Sequence, residues 1–204
     1  MATRGKSDQT VELKPLKIET VNLRIVGDTQ LIMHRWSEKA KRMMLDKQMG
    51  KATEKKAKKD PQADYEACIY RLDDGTPGFP AGGIKSAIVG ACRLFDAMPM
   101  TQAKIAIMVI GEQTKEGEQL VRIEGEPAMR EDMVRLETGV ADIRYRAGFW
   151  PWSATLTIQY NSSMLTIEQL VNLVNGAGFC GIGEWRPSSP KSSSGNFGRF
   201  HVEG

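Results

Sequence analysis

The feature that most constrains this chain is the connection before its final residues. Gly181-Ile182-Gly183-Glu184-Trp185-Arg186-Pro187 is followed by a Ser-rich run and then by Gly195-Asn196-Phe197-Gly198-Arg199-Phe200. Twenty residues hold four glycines, two arginines and three aromatics. Such a stretch cannot continue a helix or a strand, so it must be a loop supported by the elements that flank it. Glycine admits positive φ and lets a ligand come close to the backbone. The arginine fork matches a phosphate, and an aromatic face stacks on a base. The combination suits a phosphodiester strand better than a small metabolite. A glycine-rich turn with an ordinary polar tip is the plainer reading of the same residues.

Hydrophobic periodicity predicts the flanking elements. Residues 1–14 are polar and read as a loose arm. Thr20 to Val26 alternates, with Val21, Leu23 and Ile25 on one face, which predicts a half-buried strand. Ile84, Ile88, Ala91 or Cys92, and Phe95 fall at helical spacing after Phe79-Pro80-Ala81-Gly82-Gly83. Ile105 to Ile110 is a continuous apolar run and reads as a buried strand, with Leu120 to Ile123 as its partner across the Gly111–Gly117 turn region. Leu156, Ile158 and Tyr160 alternate in a further strand. Thr166 and Gln169 form a capping-box pair before Ile167, Leu170, Val171 and Val174, and Gly176 is expected to stop that helix. The order predicts an α+β fold: a ferredoxin-like, modified RNA-recognition-type core within one domain spanning residues 1–204.

Charge is unevenly distributed. From His34 to Lys59, ten Lys/Arg face three acids, a net +7 within a chain of net +3. A polyanion partner requires such a concentration, although a solvated helix face has the same appearance. Trp36, Ala40, Met43 or Met44, and Met49 give the segment a thin apolar stripe, so residues 34–60 are expected to form an inserted, partly helical basic arm. Residues 51–60 should project furthest. The three cysteines, Cys68, Cys92 and Cys180, lack metal or redox spacing and read as free thiols. No apolar run is long enough for a membrane span and no signal-peptide core opens the chain, which gives the expectation of a cytoplasmic protein with no membrane partner.

Pro80-Ala81-Gly82-Gly83-Ile84-Lys85 sets a turn before a helix with a lysine in its first turn, a place where free N–H groups and the helix dipole favour an anion. The Walker A spacing is absent. Together with Gly181-x-Gly183 and Gly195-x-x-Gly198-Arg199-Phe200, this segment resembles the RAMP superfamily, the RNA-binding proteins that form the backbone of CRISPR effector complexes and include guide-processing endoribonucleases. Arg93 stands later on the same helix, as in that family. The pattern departs at Ala81, where the family usually has glycine, and at Ser86-Ala87. The resemblance implies a domain that binds single-stranded nucleic acid and assembles side by side along it, with residues 34–60 as a thumb over the strand. A stand-alone relative of viral or mobile-element origin is consistent with it.

Candidate contacts follow from the same residues. Lys85, Arg93, Arg186, Lys191 and Arg199 are expected at phosphates, assisted by the backbone of Gly82, Gly83, Gly181, Gly183 and Gly198. Trp185, Phe197 and Phe200 are candidate stackers. His34, Arg35, Trp36, Lys39, Lys41 and Arg42 open the basic arm, and Arg144, Arg146 and Trp150 form a second cluster with cations among aromatics. Core packing is the other reading of Trp150 and Trp152. If the chain is an enzyme, it is a metal-independent endoribonuclease using His34 and Asp46. No HExxH, cysteine–histidine cluster or dense carboxylate set is present, so no metal or other cofactor is expected. The expected partner is single-stranded RNA or DNA bound by a homo-oligomer with low sequence specificity. A structural subunit docking an acidic protein through the arm is the remaining alternative.

Overall fold

The computed structural model describes residues 15–36, 38–51, 59–95, 98–135, 138–190 and 193–204. The alternation of Val21, Leu23 and Ile25 produces strand β1 (Ile18–Gly27), followed at once by β2 (Leu31–Met33). Helices α1 (Glu38–Gln48) and α2 (Pro61–Ala67) come next, then β3 (Gly78–Pro80) and α3 (Ala81–Ala91). Helix α4 (Met100–Ala106) leads into β4 (Ile107–Ile110), and β5 (Glu112–Gln113) and β6 (Gln119–Arg122) form a short hairpin. Two long strands, β7 (Pro127–Arg135) and β8 (Ala141–Phe149), precede β9 (Ser153–Asn161), α5 (Ile167–Cys180) and β10 (Phe200–Val202).

The fold is α+β with three antiparallel sheets, ordered β10-β1-β9-β4, β2-β8-β7 and β3-β6-β5. In the first, β1 and β9 pair along their whole length, from Ile18 opposite Asn161 to Val26 opposite Ser153. Ile25, Leu156, Ile158 and Ile107 point to one face and join the buried sides of α3 and α5 (Ile84, Ile88, Leu170 and Val174) in one core. Each such side chain, fully buried, contributes about 1.5–3 kcal/mol.

The Thr166–Gln169 capping box is present at the start of α5. The helix does not stop at Gly176, as its sequence suggested. It runs to Cys180 and ends at Gly181, whose φ is +74°. The interior glycines serve close packing: a Cβ on Gly178 would lie 1.8 Å from the carbonyl oxygen of Phe200. The run from Ile105 is not a buried strand either. Ile105 lies in the last turn of α4, exposed, and β4 alternates, with Met108 and Ile110 exposed on the open face of the sheet. Leu120 to Arg122 pairs with β3 and β5 rather than with β4.

The basic arm is part helix. Met43, Met44 and Leu45 on α1 and Met49 just beyond it are each about half exposed, so the apolar stripe enters no core. Residues 52–58 lie outside the described residues. Asp60 caps α2 through the N–H groups of Gln62 and Ala63, and Tyr65 is buried with its hydroxyl donating to the carbonyl of Pro127. Lys59 donates to Asp142 and to the carbonyl of Ile143, tying the base of the arm to β8. Among the described residues no helix is long and apolar enough to cross a membrane.

Candidate nucleic-acid interface

The glycine-rich loop is fixed from both sides. Glu184 N donates to the carbonyl of Ile32 and Gly198 N to that of Gln30, while Ile182 N and Phe197 N close the loop on Gly198 and Trp185. Gly198, at φ +67°, has no room for a Cβ, which would meet the Ile182 carbonyl oxygen at 1.8 Å. Trp185 packs on Phe197 with ring centroids 6.0 Å apart. The Arg130 guanidinium lies 5.1 Å from the Phe197 ring, and that of Arg146 lies 5.1 Å from Trp185. These two expected stackers are therefore already stacked by the protein's own arginines.

Beneath the loop sits a charged cluster that the alternation of β7 and β8 assembles. Arg130 pairs with Arg146 and Asp132 with Arg144 across the hairpin, so all four share one face. Arg146 is 2% exposed. Its Nε donates to His34 Nδ1 at 3.1 Å and its Nη2 to Glu184 Oε2 at 3.3 Å, while Nη1 lies 3.6 Å from Asp132 Oδ2. Arg130 Nη2 donates to the other Asp132 oxygen at 3.0 Å. Among the described residues, Arg146 Nη1, Asp132 Oδ2 and Arg130 Nε have no hydrogen-bond partner.

Burial, then the Arg146 charge, holds the His34 imidazole below its ordinary value, so it is neutral at pH 7. Arginine only donates, so His34 Nδ1 is the acceptor and Nε2 carries the proton. That tautomer has no free basic nitrogen, and it can only donate a further hydrogen bond. Asp46, the other residue of the nuclease alternative, is paired with Lys51 at 2.9 Å on the arm.

Three clefts meet at this cluster and share walls. A cleft of about 630 Å³ runs between α3 and the loop, past Gly83, Ser86, Gly90, Arg93, Gly181, Gly183 and Arg186, to His34 and Tyr70. A second, of about 1250 Å³, lies between the β7–β8 hairpin and the loop, against Arg135, Arg144, Arg146, Trp185, Arg186 and Phe197. The third, of about 360 Å³, holds His34, Arg35, Trp36, Lys59, Arg144 and Tyr145. Glu184 and Arg186 line the first two, Arg144 the last two, and His34 the first and third.

The other expected residues lie elsewhere. Phe200 is not a stacker: it is 2% exposed, in the core against Trp152. Trp152 is core as well, whereas Trp150 is exposed at the turn between β8 and β9, away from the clefts. Lys85 reaches Met108 on edge strand β4, and Arg199 covers Phe179 with its guanidinium 5.5 Å from the ring. Gly82 is exposed at the first turn of α3, and Gly198 serves the loop backbone. Lys41 lies close enough to Tyr70 to act on its ionisation, and Arg42 is exposed on α1. Lys39 belongs to α1 by its backbone, and Lys191 lies outside the described residues. Arg35 is held by Glu116 at 2.6 Å and by Glu118 at 3.5 Å. Tyr70, Arg130, Asp132, Arg135 and Glu184 were not foreseen. The alternation of charge at Arg130-x-Asp132 and Arg144-x-Arg146 was the signal for part of this group.

The open face of the β10-β1-β9-β4 sheet carries Asn22, Arg24, Thr155, Thr157, Gln159 and Met108, and no Phe, Tyr or Trp. RNA-recognition domains that stack bases on their sheet need aromatics there, so this face lacks the means for that mode.

No protein-family model matches the chain, and no curated protein matches it in sequence. Its structure is similar to the crystal structure of Cmr6 from Pyrococcus furiosus, with a TM-score of 0.42 and 11% identity over 93% of this chain and 100% of that one.

Proposed function

We propose that this chain is a single-stranded nucleic-acid-binding protein of the RAMP type, built as one domain on a ferredoxin-like core. The order β10-β1-β9-β4 supports that core: in chain order its strands run fourth, first, third, second, with α3 and α5 in the two crossovers. One observation carries the function. Three clefts with common walls converge on the glycine-rich loop, bordered by Arg93, Arg135, Arg144 and Arg186 and by the arginine-stacked pair Trp185 and Phe197. A continuous cationic groove with backbone and aromatic walls fits a flexible phosphodiester strand and has little use for base identity. The basic arm, anchored through Lys59 to β8, flanks the third cleft and serves as the thumb over the strand. The exposed apolar residues of α1 favour neighbour contacts, so protomers assemble along a long strand.

Fluorescence anisotropy of labelled single-stranded RNA and DNA against salt tests this reading. Replacing Arg93, Arg144 and Arg186 together by Gln should flatten the log–log salt slope by about two units, since each phosphate contact on a single strand contributes about 0.7. Arg24→Gln, on the open sheet face, should leave the slope unchanged. If the groove variant keeps the slope and the sheet-face variant flattens it, the groove is not the binding surface.

A further inference from the structure

Asp64 and Asp142 line the third cleft of the groove, and Glu184 stands where the two larger clefts meet. Glu184 lines both of the larger clefts, and its carboxylate accepts from the buried Arg146 at 3.3 Å. Its side chain is 41% exposed while that of Arg146 is 2% exposed, so the acid covers the guanidinium from the groove side. We infer that Arg146 is a built phosphate site whose occupant in the free protein is the Glu184 carboxylate, and that a phosphate of the bound strand displaces it. This inference rests on the proposed binding of a nucleic-acid strand.

Charge balance in the cluster argues for the exchange. Two cations, Arg130 and Arg146, share one buried counter-ion, Asp132, which is 3.0 Å from Arg130 and 3.6 Å from Arg146. His34 is neutral, since burial and Arg146 both oppose its protonation. Glu184 supplies the second negative charge that this arginine pair requires. A buried guanidinium left without a counter-ion is costly, so the position must hold an anion in either state. Of the two anions, Glu184 is the exposed one and can swing into water and be hydrated there. Arg144 lies close enough to act on Arg146 and His34, and Arg186 shares both clefts with Glu184, so a phosphate arriving at Arg146 meets further cations. Arg146 Nη1 makes no hydrogen bond and lies 3.6 Å from Asp132, so it completes a fork with Nη2, and a phosphate presents two oxygens to such a fork. Glu184 thus sets the affinity of the groove and excludes weaker anions from it.

Two measurements on the full chain test the exchange, using Glu184→Gln with and without Arg146→Lys. With a labelled single-stranded oligonucleotide, E184Q should bind about five- to tenfold more tightly than wild type, because a like charge beside the phosphate is gone. On the R146K background the gain should shrink to less than about twofold, since lysine offers no fork to replace. An equal gain on both backgrounds would mean a general charge effect and would overturn the exchange. The second readout needs no nucleic acid. Inorganic phosphate should raise the thermal midpoint of E184Q and leave wild type nearly unmoved, and equal responses would also overturn it. If wild type and E184Q both fail to bind any strand while phosphate still stabilises E184Q selectively, the anion site stands and the nucleic-acid reading falls.

Discussion

Replacing Gly178 by Ala tests how the groove is held in place. The added Cβ would sit 1.8 Å from the carbonyl oxygen of Phe200, where ordinary contact begins at 3.4 Å, so β10 or α5 would have to retreat by about 1.6 Å. Strand β10 has three residues, paired to β1 at Ile25, Val26 and Gly27, and cannot yield that distance while keeping its register. Overpacking of this kind costs about 1–3 kcal/mol. Expelling Phe200 from the core adds a burial term of about 1.5–3 kcal/mol. We therefore expect Gly178→Ala to lose about 3–5 kcal/mol, a range that marks a specific packing defect. Gly82→Ala is the matched control: it lies in the first turn of α3 with nothing within 4 Å of its Cβ. That change should gain about 0.4–1 kcal/mol by restricting the unfolded chain. Urea denaturation of both variants and wild type gives the comparison. Because Arg199 and Phe200 carry the end of the loop into β10, strand binding should also fall in Gly178→Ala. A Gly178→Ala protein within 1 kcal/mol of wild type, at an unchanged denaturant slope, would refute the packing of α5 against β10 described above.

Two further outcomes are expected. His34 titrates below its ordinary value of 6.5 in the folded chain, so the unfolded chain binds the proton more readily and stability falls as pH drops below about 6.5. Thermal midpoints from pH 7.5 to 5 should therefore show a smaller acid loss in His34→Gln than in wild type, and an equal loss would contradict the buried Arg146–His34 hydrogen bond. Labelled single-stranded RNA should stay intact with the purified protein, with or without EDTA, because Arg146 occupies the one nitrogen that could act as a base. Cleavage that disappears in His34→Ala would restore the endoribonuclease alternative.

Local pattern made much of the frame legible. The alternation in β1 and β9, the helical spacing at Ile84 and Ile88 and the capping box at Thr166 are each written in neighbouring residues, because strand and helix periods are local properties. The charge of residues 34–59 and the loop character of residues 181–198 are likewise properties of composition. Roles that depend on distant partners were not legible. Gly176 resembles a helix stop until Phe95 and Ala91 are seen packed against it, and Phe200 resembles a stacking ring until Trp152 is found beside it. Leu120 to Ile123 had several possible partners, and sheet pairing is decided by which strand lies nearest in space. The same holds for the site. Arg144 and Arg146 could be placed on one strand face from their spacing, but their separate fates could not. Arg146 is enclosed by His34, Asp132, Glu184 and Trp185, which come from three distant parts of the chain, while Arg144 remains at the groove wall. Sequence determined which residues could carry charge and stack, and tertiary structure decided which of those charges were spent inside the protein, because desolvation and pairing depend on neighbours that only folding brings together.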